Sequence, residues 1–204
     1  MAQHRKLGEL SVDEYLALED SANVRSEYLD GHIFAMTGAT EAHNLISGNL
    51  FARLHQHLSG SSCRPFIADM KLYIETANSF YYPDVMVTCE PYIENSVFKK
   101  LPVMIAEVLS SSTKHIDRRE KLIAYRQIKT LREYLILHQA KLQVEVHRKD
   151  PEDKWEVITL GKLDILDFKS FSPSLSIAVA DLYEGATIQS TVSEEESDYD
   201  ASAS

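Results

Sequence analysis

Apolar residues recur every four positions at Ile46, Leu50, Leu54 and Leu58, the spacing of one helix face. Thr40 stands where an N-cap belongs and Gly60 where the chain leaves a helix, so a long helix is predicted over about 40–58. Upstream, Ser11 and Glu14 have capping-box spacing and start a short helix to about Glu19. Glu27-Tyr28-Leu29 and the run from His32 to Met36 flank Asp30-Gly31, the pattern of a hairpin.

Strand-like runs follow. Residues 64–74 alternate loosely. Residues 82–88 carry Pro83-Asp84 and then Val85-Met86-Val87. Residues 103–109 are almost continuously apolar, broken only by Glu107. Ser112 or Thr113 starts a helix to about Lys129, followed by strands over 133–138, 141–148 and 155–160 and a short helix over 180–183. The order predicts an α/β fold, a mixed central sheet flanked by helices.

With 44% hydrophobic residues in 204 positions, the chain has enough apolar material for one packed domain. That domain is placed at 1–188. Residues 189–204 are rich in serine and acid, with Glu194, Glu195, Glu196, Asp198 and Asp200 and no bases; this composition predicts a disordered tail. No apolar run reaches membrane-spanning length, and residues 1–10 have no apolar h-region, so no signal peptide is expected. Cys63 and Cys89 show neither metal spacing nor a disulfide framework, so two reduced thiols in a cytoplasmic protein are expected.

The net charge of -10 argues against a uniformly nucleic-acid-binding surface. Without the five tail acids that charge halves, and the region 114–132 is basic: Lys114, Arg118, Arg119, Lys121, Arg126, Lys129 and Arg132 face only Asp117 and Glu120. Within it, Lys114, Arg118, Arg119 and Arg126 are candidate phosphate contacts.

Asp84 and Glu107 carry the candidate chemistry. Packing alone gives no reason for a carboxylate inside Val103-Met104-Ile105-Ala106-Glu107-Val108-Leu109, and burying one costs several kcal/mol unless it is paired or metal-bound. A second acid alone makes matters worse, because like charges raise each other's pKa. A divalent cation between Asp84 and Glu107 resolves both problems, and oxygen ligands on strands suit Mg²⁺ or Mn²⁺. Taken alone, Glu107 could equally pair with an arginine or face solvent.

Six segments in order narrow the choice: 27–31 (Glu-Tyr-Leu-Asp-Gly), 41–44 (Glu-Ala-His-Asn), 83–85 (Pro-Asp-Val), 107–110 (Glu-Val-Leu-Ser), 117–125 (Asp117 and Lys121 to Tyr125) and 132–135 (Arg-Glu-Tyr-Leu). Over residues 10–185 the chain resembles the Uma-type restriction endonuclease family of bacteria, within the PD-(D/E)XK nuclease superfamily. The resemblance implies a restriction endonuclease-like fold and a Mg²⁺- or Mn²⁺-dependent endonuclease acting on DNA, with possible homodimers. It implies Asp84 and Glu107 as metal ligands and catalytic acids, Glu27 as a further carboxylate, and His43 at a family position of unassigned role. The superfamily's lysine belongs two residues after the second acid, where this chain has Leu109; the resemblance moves it to Lys121 on the following helix. Lys71 is a lower-ranked rival. The displaced lysine and the acidic charge keep a second function open: a nuclease-fold protein without catalysis that binds DNA or a protein.

Overall fold

Ser11 caps the first helix as its spacing predicts: its hydroxyl accepts from Glu14 N–H, and Glu14 returns a carboxylate to the Ser11 backbone. Thr40 caps the long helix through His43 N–H. Asp30 and Gly31 turn the hairpin with positive φ at both positions, the conformation of a two-residue primed turn. The computed structural model describes residues 10–36, 38–109 and 116–188, and only the backbone of 116–118. Residues 110–115, which hold the predicted start of the third helix and Lys114, lie outside the described residues. So does the predicted tail, 189–204.

In chain order the helices are α1 (Val12–Ser21), α2 (Glu41–His57), α3 (Ile116–Arg126) and α4 (Val179–Leu182). The strands are β1 (Ser26–Leu29), β2 (His32–Ala35), β3 (Arg64–Ile67), β4 (Lys71–Ile74), β5 (Ser79–Tyr81), β6 (Val85–Thr88), β7 (Phe98–Lys99), β8 (Pro102–Leu109), β9 (Glu133–His138), β10 (Gln143–Lys149), β11 (Trp155–Gly161), β12 (Ile165–Phe168) and β13 (Leu175–Ala178). The central sheet is six-stranded in the order β11-β10-β9-β8-β6-β3. It is mixed: β8 and β9 run parallel, joined through α3, and its other pairs are antiparallel. A five-stranded sheet, β2-β1-β5-β4-β7, stands beside it, and β12 and β13 form a hairpin. The mixed α/β expectation holds.

The predicted strand over 64–74 is two strands in different sheets. The break falls at Ala68, which has φ +53, outside what a continuing strand tolerates. The chain crosses from the central sheet to the five-stranded one there, and crosses back at Tyr82-Pro83-Asp84. Ala68 N–H donates to Asp84 C=O at 3.1 Å, tying the two crossings together.

Both faces of the central sheet are covered. Ile46, Leu50, Leu54 and Leu58 of the α2 region pack on Val85, Val87, Met104, Ala106 and Val108. On the other face, Ala124, Tyr125 and Ile128 pack on Met86, Ile105, Tyr134 and Ile136. Strand alternation therefore sends Glu107, two residues after Ile105, to the α3 face.

The cysteines overturn the free-thiol expectation. Cys63 and Cys89 are joined by a disulfide. The pairing of Arg64 with Thr88 in the β3–β6 ladder sets the flanking residues 63 and 89 opposite each other, which a separation of 26 residues conceals in the sequence. No helix among the described residues is long and apolar enough to cross a membrane.

Candidate active site

The register of β6 against β8 pairs Val85 with Ala106, so Asp84, one residue before β6, lies across from Glu107. Asp84 Oδ2 accepts the backbone N–H of Val108 at 2.7 Å and meets His43 Nε2 at 3.1 Å. His43 lies in the first turn of α2, and its N–H is held by the Thr40 cap at 3.2 Å. The helix start thus aims the imidazole at the strand end.

Glu107 is buried, at 7% exposure. Its Oε1 accepts the Tyr125 hydroxyl at 2.7 Å and lies 3.4 Å from Lys121 Nζ. Lys121 and Tyr125 are four apart on α3, so they reach the same oxygen from one helix face. The ammonium also pairs with Glu27 Oε1 at 2.8 Å and sits 5.7 Å from the centre of the Tyr81 ring. Glu27 comes from β1, and Tyr82 N–H approaches its Oε1 at 3.5 Å. Asp84, Glu107, Lys121, Glu27 and His43 are thus joined in two contacting groups on neighbouring strand ends, bridged by the Asp84–Val108 hydrogen bond.

Electrostatics follow from this packing. Burial pushes the Glu107 carboxyl up to about 7, with Asp84 and Glu27 adding to the rise while Lys121 and the Tyr125 hydroxyl oppose it. Burial works against the Lys121 charge, yet Glu107 and Glu27 outweigh it and hold the ammonium well above the ordinary lysine range. For His43, burial pulls the imidazole down and Asp84 more than offsets it, so its pKa is raised.

Lys71 does not join this cluster. In the β4–β5 ladder Leu72 pairs with Tyr81, and Tyr81 is the ring beneath Lys121. Lys71 falls on the opposite face of that sheet, its Nζ over the Tyr82 ring at 5.6 Å. Of the predicted phosphate contacts, Arg126 lies away from the site. Arg126 lies over Trp155 at 5.6 Å and meets His147 Nδ1 at 3.3 Å, two strands from Glu107. Arg119 is exposed, and the Arg118 side chain and Lys114 lie outside what is described. Tyr125 is assigned no role from the sequence; its four-residue spacing from Lys121 is the signal that could have found it.

Tyr125→Phe removes a buried hydrogen bond to a carboxylate without changing the ring. Such bonds contribute about 1.5–3 kcal/mol, and urea unfolding at pH 8 is expected to show a loss in that range. An unchanged midpoint would mean that the hydroxyl does not hold Glu107.

The donor set at the strand ends is two carboxylates, Asp84 and Glu107. That suits Mg²⁺, which commonly takes one or two protein carboxylates and fills its shell with water and substrate phosphate. Among the described residues no group of three or more His, Cys, Asp or Glu could hold a metal ion.

Known proteins share this chain's pattern. The model of the Uma2 family, described as "Putative restriction endonuclease", matches residues 12–180. The uncharacterized protein slr1290 of Synechocystis sp. is 34% identical over 177 residues, covering 86% of this chain and 92% of that protein. The uncharacterized protein sll1609 of the same organism is 36% identical over 149 residues, covering 72% and 84%. The crystal structure of a "putative nuclease belonging to DUF820" from Anabaena variabilis superposes with a TM-score of 0.69 at 19% identity, over 85% of this chain and 97% of that one, a likeness of fold.

Proposed function

The chain belongs to the Uma2 family, and from that premise we propose that it is a metal-dependent endonuclease hydrolysing phosphodiester bonds in DNA. One observation carries the reading: two carboxylates occupy paired positions of adjacent strands, with a half-buried lysine ammonium 3.4 Å from the second. Asp84 and Glu107 would hold Mg²⁺ or Mn²⁺. Bound there, the cation supplies Lewis acidity to the scissile phosphate and eases deprotonation of the attacking water. The protein's own residues do the positioning. Val108 N–H and His43 fix Asp84, Tyr125 fixes Glu107, and Glu27 anchors Lys121 at 2.8 Å. Lys121 then offers a preorganised positive charge to the pentavalent phosphate, whose added charge is what such a site must stabilise.

The test is Mn²⁺ titration by calorimetry on wild type and Asp84→Ala, with plasmid nicking read on the same samples. Binding and nicking in wild type, both lost in the variant, support the proposal. A folded wild type that neither binds Mn²⁺ nor nicks sinks the metal mechanism. The displaced lysine, which already pairs with Glu107 and Glu27, and the net charge of -10 favour a second reading in that event: a DNA- or protein-binding module of nuclease fold. DNA binding that survives Asp84→Ala and needs no metal would select it.

A further inference from the structure

The central sheet ends in two unlike edges. At one, β3 is four residues long and contains Pro65, features that discourage further pairing. At the other, β11 runs seven residues from Trp155 to Gly161. Its ladder with β10 is regular throughout, and it has no proline, no lysine and a single charge, Glu156, which lies across from Arg148. Val157 is 52% exposed and Ile158 42%. A long, regular edge with a single charge is a template for another strand.

Hydrogen bonding shows which groups are on offer. Lys149 N–H points inward to Arg132 C=O, while Asp150 N–H donates to Lys154 C=O. Trp155, opposite Lys149, therefore turns its own N–H and C=O away from β10, as do Val157, Thr159 and Gly161 by alternation. Gly161 is already closed: its N–H donates to Asp164 Oδ2 at 2.7 Å and its C=O accepts Asp164 N–H at 3.0 Å. Trp155, Val157 and Thr159 remain open to a partner strand.

We infer that this edge pairs with the same edge of a second copy, β11 against β11 antiparallel about a two-fold axis at Val157. A two-fold through the sheet must pair a residue with its own copy, so the register is set by the residue on the axis. An axis at Glu156 sets two like charges against each other and leaves Thr159 beyond the partner strand. An axis at Ile158 sets Lys154 against the partner copy's Lys162 and Trp155 against the closed Gly161. An axis at Thr159 sets Val157 against that same closed glycine. An axis at Val157 uses every open residue: Val157 pairs with its own copy and Trp155 with Thr159 in both directions. It also brings the acidic turn at Glu152 level with Lys162 of the other copy. The result is one sheet continuous across two chains. This self-complementarity singles out a second copy rather than an unrelated strand, and it does not depend on the nuclease reading.

Sedimentation of the full chain is expected to give a mass near twice the 23.1 kDa of one chain. Val157→Pro removes the central outward N–H, which makes no bond within the sheet, and is expected to give a monomer with an unchanged circular dichroism spectrum. Residues facing across a hydrogen-bonded antiparallel pair have Cα atoms about 5.5 Å apart, within disulfide reach. Val157→Cys is therefore expected to cross-link on mild oxidation, while Leu163→Cys, 94% exposed but off the axis, is not; this pair carries the test if the proline variant misfolds. A monomeric wild type at the highest soluble concentration overturns the inference. So does a dimer that persists in folded Val157→Pro, or one in which Val157→Cys cross-links no faster than Leu163→Cys.

Discussion

Replacing Lys121 by methionine is expected to destabilise the protein by about 3–5 kcal/mol at pH 8, the usual cost of removing one partner from a buried ion pair. Methionine keeps most of the stem, so the loss reports charge rather than packing. Lys121 is the cation that the structure places between Glu27 and Glu107, at 2.8 and 3.4 Å. Without it, two carboxylates remain in a pocket that already pushes one of them up to about 7. The variant can relieve that charge by holding a proton on Glu107. Its deficit should therefore shrink at pH 5.5, where the proton is easily kept. Chemical unfolding at the two pH values reads this directly. A deficit below about 1 kcal/mol at pH 8, in the range of an exposed ion pair, would mean that Lys121 does not compensate buried charge. Adding Glu107→Gln to the methionine variant should recover part of the loss, since the two changes share one contact and are not additive.

The legibility of this site in the sequence varied with its chemistry. Asp84 and Glu107 stood out because each interrupts or abuts an apolar run, and burial makes such an acid costly. Nothing local marked Lys121, Glu27 or His43. They come from a helix, a hairpin and a helix start far apart in the chain, and only the family resemblance grouped them. Lys121, the lysine that the resemblance implies, lies 3.4 Å from Glu107. The fold was legible where one element obeys one period. Four-residue spacing marked α2, and Asp30-Gly31 marked the first hairpin. It was not legible where the chain changes sheet. A φ of +53 at Ala68 has no signature in an alanine, so 64–74 read as one strand. For the same reason Lys71 remained a rival until its register with the Tyr81 side of the ladder put it on the other face. The Cys63–Cys89 bond likewise depends on a ladder whose register no short motif announces.

Glu107→Gln separates the two demands on this carboxyl, because it is expected to abolish cleavage while stabilising the fold above neutral pH. The sign follows from linkage. Burial raises the folded-state pKa to about 7 from an ordinary 4.5, so between those values the folded protein holds a proton that the unfolded chain has released. Stability then falls as pH rises through that window and stays reduced above it. Glutamine carries no charge to desolvate and keeps an acceptor for the Tyr125 hydroxyl. The variant's melting temperature at pH 8 should exceed that of wild type by a few degrees, and its decline between pH 5 and 8 should be shallower. Some slope will persist. His43 has a raised pKa, so its contribution is full below the unfolded value and is lost as pH rises through the folded one, in the same direction. Lys121 keeps Glu27 as its partner at 2.8 Å, which limits what the substitution removes. Nicking in Mg²⁺ should drop by about 10²–10³-fold or more, the scale on which preorganised charge acts at such sites. A Glu107→Gln variant that melts lower than wild type at pH 8 would show that the carboxylate and its lysine stabilise the fold. One that melts higher and still nicks at the wild-type rate would remove Glu107 from the chemistry.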